Sequence, residues 1–174
     1  MISLMNIKPI GFNTADECWD YKAFICANYY VEELYICTYN MHTAIDNWRY
    51  PGLPTKMNPN QILCNKVHEL GPYKSGIIIG EKTAIFRREW PHIKNKWPNA
   101  QFVYRPNTHS KISIIKFRDN NKLRCQIFCG SGNFNTSGRN SDWRDCITRQ
   151  VSKEQRKFVC DHFNYLWSEA EIII

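Results

Sequence analysis

The chain has 174 residues, room for one domain with a real core and little more. Hydrophobic residues make up 43% and charged residues 22%, the balance of a soluble globular protein. The formal net charge is +7 and the pI is near 9.0, which favours an anionic partner such as a nucleic acid or an acidic lipid surface. Aromatic residues reach 14%, enough to fill a core or to stack on bases, and composition does not separate the two.

The sequence contains no apolar run of the roughly 18 residues that a membrane helix needs. The opening Met1-Ile2-Ser3-Leu4-Met5 lacks a basic start and a long apolar stretch, so no secretion is expected and the expected location is cytoplasmic. The eight cysteines are then reduced, and with no Cys-x-x-Cys pair they read as buried thiols rather than metal ligands. Cys125 and Cys129, four apart, share one face of a predicted strand.

In chain order, Thr14-Ala15-Asp16-Glu17 is a capping box and predicts a helix to about Tyr30. Tyr21, Phe24, Ile25 and Asn28 fall near one face of it, an imperfect stripe. Glu33 to Asn40 is rich in β-branched and aromatic residues and predicts a strand, with His42 at its end as a loop residue or a supporting group for a site. Residues 46–57 carry Pro51-Gly52-Leu53-Pro54 and predict an exposed loop. Asn58-Pro59 is a cap followed by proline at the first helical position, and Gly71 sits where a helix-terminating glycine would, so the spacing predicts a helix over 59–70.

Ser75 to Gly80 is a short apolar run, the pattern of a strand buried on both faces. Lys82 to Glu89 can begin a helix that Pro91 would end or kink. Residues 81–97 also hold Arg87, Arg88, His92, Lys94 and Lys96, with Trp90 and Trp97 between. Two readings stand side by side: a path for single-stranded nucleic acid, or a solvated face with two tryptophans turned inward. Gln101 to Arg105 predicts a strand. Lys111 to Arg118 and Leu123 to Cys129 predict a hairpin closed by Asp119-Asn120-Asn121. Trp143 to Thr148 predicts a further strand. Ser152-Lys153-Glu154-Gln155 is a second capping box, opening a helix to about Ser168 with Phe158, Val159, His162, Phe163 and Leu166 as its apolar stripe. Helices and strands alternate early and hairpins cluster late, which predicts an α/β fold: a mixed sheet with helices on both faces, one domain over 1–174.

One span carries chemistry. Thr108-His109-Ser110-Lys111 is followed by Gly130-Ser131-Gly132-Asn133 and by Asn140-Ser141-Asp142. His109 can attack phosphorus or shuttle a proton. Lys111, two residues on, leaves the same face of a strand and supplies a fixed cation. Gly130 and Gly132 let the backbone approach a phosphate, while Ser131 and Asn133 add a hydroxyl and an amide. An ordinary hairpin with a glycine-rich turn would share some of these residues; their combination in one short span is the specific signal.

That order of residues resembles the signature of the phospholipase D superfamily, most of all its small single-motif endonucleases. The chain departs from the family pattern at Lys116, where the family has Asp, with Asp119 the next acid along; Asp142 stands where the family usually has Glu. The resemblance implies a mixed α/β half-domain that pairs with a second copy to form one composite site. It implies a metal-independent phosphodiesterase with no cofactor, working through a phosphohistidine. His109 would be the nucleophile in one copy and the general acid in the other. Lys111 and Asn133 would hold the phosphoryl oxygens, Ser131 would orient Lys111 or the phosphate, and Asp142 would hold an imidazole in its tautomer. Arg87, Arg88, Lys94, Lys96 and Arg105 precede the motif and are expected to line the approach of a nucleic-acid substrate. DNA or RNA cleavage is the first reading. Phospholipase-type chemistry on a lipid, or a nucleic-acid-binding module whose site has decayed, are the alternatives.

Overall fold

The computed structural model describes residues 10–11, 15–41, 59–130, 146–149 and 153–173. Among these, eight strands form one sheet in the order β1-β7-β6-β5-β2-β3-β4-β8. The strands are β1 (Ile10–Gly11), β2 (Tyr30–Thr38), β3 (Ser75–Ile79), β4 (Phe102–Tyr104), β5 (Ile112–Asp119), β6 (Lys122–Cys129), β7 (Cys146–Arg149) and β8 (Glu171–Ile172). The helices are α1 (Ala15–Asn28), α2 (Pro59–Leu70), α3 (Ala84–Lys96) and α4 (Lys153–Ser168). β2, β3 and β4 run parallel; β5, β6 and β7 are antiparallel to their neighbours, and β5 pairs with β2. The sheet is therefore mixed, as expected.

Period-two alternation divides the apolar residues between two cores. On one face Leu34, Ile36, Ile77, Ile79, Phe102, Ile115 and Phe128 pack against Trp19 and Cys26 of α1, Leu63 and Val67 of α2, and Phe86, Ile93 and Trp97 of α3. On the other face Cys37, Ile78, Val103, Ile112, Ile114 and Ile127 pack against Phe163 and Leu166 of α4. Helices thus cover both faces. β3 is buried along its whole length, which explains its uninterrupted apolar run.

Local signals place several elements well. α2 spans Pro59–Leu70, and Gly71 follows it at φ 71°, the left-handed conformation that glycine adopts freely. Asn120 and Asn121 take φ 48° and 63°, the pair of positive values that a two-residue hairpin turn requires. Gly76 has a packing reason: a Cβ there would lie 2.2 Å from Cη2 of Trp167, so the α4 indole rests directly on β3.

Other expectations change. α3 runs through Pro91 to Lys96. A mid-helix proline costs about 3 kcal/mol, but Pro91 is exposed while Phe86, Ile93 and Trp97 on the inner side are buried and hold the helix across it. β2 starts at Tyr30, earlier than its apolar stretch, because its first residues pair with the far half of β5. Phe24 faces outward, and Trp19, Ala23 and Cys26 form the inner side of α1 with Ile25. Phe158 is likewise exposed, so the inner stripe of α4 rests on Phe163 and Leu166. The Thr14 and Ser152 caps, His42 and the loop over 46–57 lie outside the described residues.

Candidate active site

The direction of the strands gathers the site. β2, β3 and β4 end on one edge of the sheet; β5 begins there and β6 ends there. The segment between β4 and β5, residues 105–111, crosses this edge and carries His109 and Lys111. Its backbone is tied down in sequence. The Arg105 N–H donates to the Ile79 carbonyl at 2.9 Å, the Asn107 N–H to the Gly80 carbonyl at 3.1 Å, and the Thr108 N–H to the Arg105 carbonyl at 3.4 Å. Asn107, at φ 60°, makes the turn. Gly80 lies so close that a Cβ would sit 2.2 Å from the Thr108 carbonyl oxygen.

His109 is exposed, and its imidazole stacks on the Tyr39 ring with centroids 4.0 Å apart and planes 15° apart. Lys111 is half-buried. Its Nζ donates to the His109 carbonyl at 2.6 Å and lies 5.6 Å from the Tyr39 ring centroid. Burial pulls the Lys111 ammonium below its ordinary pKa, with the neighbouring Cys37 thiol opposing the shift. Burial pushes Cys37 itself up to about 12, so that thiol stays protonated and inert. His109 and Lys111 were expected on the strand itself. They precede it, because the ladder to β2 begins only at the Cys37–Ile112 pair.

The Gly130 N–H donates to the Lys111 carbonyl at 3.2 Å, which sets the start of the Gly-Ser-Gly-Asn stretch beside the His-x-Lys stretch. Ser131, Gly132, Asn133 and Asp142 lie outside the described residues. Lys116 points to the α4 face and forms an ion pair with Glu33, its cross-strand partner, at 2.7 Å. Burial alone would lower the Lys116 pKa, but the hydrogen bond and charge of Glu33 outweigh it and raise it. Asp119 lies at the hairpin turn beside Arg124, at the opposite end of β5 from His109, so it takes no part in the site.

The basic residues separate. Arg105 follows β4 at the site edge, and its Nη2 donates to the Tyr165 hydroxyl at 3.1 Å. α3 starts from the same edge, capped by Thr83, whose hydroxyl accepts from the Phe86 N–H at 3.1 Å. Arg87 and Arg88 are exposed in its first half, and the Arg87 Nε donates to the Lys82 carbonyl. Lys94 and Lys96 lie in the last turn, about 9–12 Å further along the axis than Arg88 at 1.5 Å per residue, towards the far edge of the sheet. Trp97 is buried, its indole N–H donating to Asn65, and Trp90 packs on Phe86 and Phe102. On α3, then, the tryptophans belong to the core and the cations to solvent.

Sequence reasoning missed the rest of the neighbourhood. Lys82 lies 4.2 Å from the Tyr104 ring centroid, and the Arg105 guanidinium lies 4.8 Å from that of Tyr165. Ser110 Oγ and His162 Nε2 are 3.3 Å apart, so α4 braces the segment between the two site residues. His162 is half-buried, a packed residue as expected, but with a polar partner. These pairs join distant parts of the chain and have no local signature. Among the described residues no three His, Cys, Asp or Glu side chains gather as a metal site, and no helix is long and apolar enough to cross a membrane.

No family model matches the sequence, and no curated protein matches it. The fold does have solved counterparts. The chain is similar to Nuc from Salmonella typhimurium, described as a phospholipase D family member, with a TM-score of 0.62 at 12% identity, over 95% of this chain and 99% of that one. It is similar to NucT from Helicobacter pylori, with a TM-score of 0.58 at 11% identity, over 95% and 99%. It is also similar to TrmBL2, described as an archaeal chromatin protein with a novel mode of DNA binding. There the TM-score is 0.57 at 9% identity, over 99% of this chain and 56% of that one. At such identities the likeness is one of fold.

Proposed function

We propose that this chain is a phosphodiesterase that cleaves nucleic acid, a nuclease acting as a homodimer with one composite site. The observation that supports this reading is the Gly130–Lys111 contact, which sets the first residue of the Gly-Ser-Gly-Asn stretch beside Lys111 at one sheet edge. The sheet on which it sits has the fold seen in Nuc. The basic balance of the chain favours a polyanionic substrate.

In this mechanism the neutral His109 imidazole attacks phosphorus and forms an N–P bond. The P–O bond to the leaving strand breaks, and His109 of a second copy protonates the departing oxygen. That second imidazole, now neutral, takes a proton from water as the water attacks phosphorus, and the N–P bond breaks to release the phosphate. Lys111 and Asn133 of both copies neutralise the non-bridging oxygens, where charge accumulates. The backbone at Gly130 and Gly132 and the Ser131 hydroxyl complete the cradle, and Asp142 fixes an imidazole tautomer.

These groups do the work without a metal or cofactor, so hydrolysis of labelled DNA or RNA is expected to survive excess EDTA. Activity that disappears with chelator and returns with Mg²⁺ overturns the mechanism.

The separation of the basic residues yields a second expectation. Affinity for DNA falls as salt rises, with a log–log slope set by the number of phosphates contacted. Arg105→Ala is expected to reduce that slope by about 1, and Arg87→Ala with Arg88→Ala by up to about 2. Lys94→Ala with Lys96→Ala is expected to leave it unchanged. A slope that responds only to the last pair would put the substrate on the far end of α3.

A further inference from the structure

One pattern recurs around the site edge and extends beyond the reacting groups: a tyrosine ring with a cation close to it. Tyr39 has Lys111, Tyr104 has Lys82, and Tyr165 has Arg105. The ladders place Tyr39 and Tyr104 at one edge, and Arg105 links that edge to Tyr165 on α4. Thr38, Ile79 and Tyr104 are register partners across β2, β3 and β4, so Tyr39 and Tyr104 leave the sheet on the same edge, two strand spacings or about 10 Å apart. Arg105 follows Tyr104 and brings in Tyr165 from α4. Tyr165 is 55% exposed, and Tyr104, Lys82 and Arg105 are each partly open to solvent.

We infer that this edge binds nucleic acid as a single strand, with bases stacked on Tyr104 and Tyr165 and phosphates held by Lys82 and Arg105 on the way to His109. The inference rests on the nuclease reading and specifies its substrate. A ring offers a π-face to any base, and the adjoining cation meets the phosphate of the same nucleotide, the combination by which proteins hold unpaired strands without reading their sequence. Bases in a duplex already stack on each other and have no free face to offer. At Tyr165 the stack is prebuilt: the guanidinium lies on the ring and is fixed by its hydrogen bond to the hydroxyl, so a base extends an ordered pair at little entropic cost. The aromatic-and-basic path expected along α3 is thereby relocated, since Trp90 and Trp97 face the core.

The test measures binding with His109→Ala chain, which leaves the probe intact. Labelled oligothymidylate is compared with an abasic strand of equal length and with a hairpin duplex, at one salt concentration. Thymidylate is expected to bind about a hundredfold more tightly than the abasic strand, about tenfold for each of the two stacked bases. Tyr165→Leu, and separately Tyr104→Leu, should each cut that ratio about tenfold, while Tyr165→Phe preserves it. Arg105→Gln and Lys82→Gln should weaken thymidylate and abasic strands alike. Equal binding of thymidylate and abasic strand, an unchanged ratio in Tyr165→Leu, or tighter binding of duplex than of either strand overturns the inference. Tyr165 is exposed, so its variant decides the matter even where Tyr104→Leu loses the fold by circular dichroism. A separate arm measures wild-type turnover of a small phosphodiester without a nucleobase. Its failure would strike the nuclease reading, whereas failure of the ratio strikes only the single-strand assignment.

Discussion

Replacing His109 by Ala is expected to abolish turnover, by about 10⁴-fold or more, because in the proposed mechanism it removes the nucleophile of one copy and the proton donor of the other at a stroke. The side chain is exposed and its one described ring partner is Tyr39, so the change in stability should stay within about 0.5–1.5 kcal/mol, the worth of an aromatic stack. A dimer of one wild-type and one His109→Ala chain sharpens the result. It lacks either attack or protonation, so its turnover should also be nearly abolished, while a single covalent phosphorylation event remains possible. Acid-labile phosphate on His109 after rapid quenching is the direct readout. A monomer that cleaves at full rate, or a quenched wild-type enzyme that never carries such phosphate, would refute the shared site and point to direct attack by water.

Gly80→Ala should also be damaging, although Gly80 has no reactive group. The new methyl would meet the Thr108 carbonyl oxygen at 2.2 Å and the Tyr39 Cδ2 at 3.1 Å. One neighbour is backbone of the segment that carries His109, and the other is the ring on which His109 stacks. Relief therefore requires moving His109, the proposed nucleophile. A displacement of about 1 Å costs on the order of 10²-fold in rate, and overpacking of this kind costs about 1–3 kcal/mol of stability. Gly76→Ala is the matched control. Its methyl would strike the Trp167 side chain between β3 and α4, so it should lower the melting temperature while the folded fraction keeps its rate. Equal rates per folded molecule in the two variants would mean that the Gly80 contact does not position His109.

The contrast between these glycines shows where sequence reasoning reached and where it stopped. Signals contained within a few residues were legible: Asn58-Pro59 and Gly71 bracket α2, the apolar run at 75–79 is a strand buried throughout, and Asn120-Asn121 turns the hairpin. The His109, Lys111 and Gly130 cluster was legible too, because its members flank a single hairpin. What depends on the direction of one element against another was not. The separation of Arg87 from Lys96 follows from the reversal of α3 against β3, and composition along the helix is blind to it. The Arg105–Tyr165 and Ser110–His162 pairs bring together residues from opposite sides of the hairpin. Pro91 does not end α3, because the buried Phe86, Ile93 and Trp97 outweigh its local cost. Lys116 departs from the family pattern, and the local sequence did not show that Glu33 on the neighbouring strand meets its charge.

The place of β2 between a parallel and an antiparallel partner also sets the order in which the molecule is assembled. The β5–β6 hairpin closes over two residues, an event of about 1–10 μs. The β2–β5 ladder must instead bring Cys37 to Ile112 across much of the chain, and long loop closures are slow and come late. His109 and Lys111 stand at that junction, so the proposed activity is expected to be the last property regained on refolding. Tryptophan fluorescence, reporting burial of Trp19 and Trp97 in the helical layer, should recover ahead of enzymatic activity.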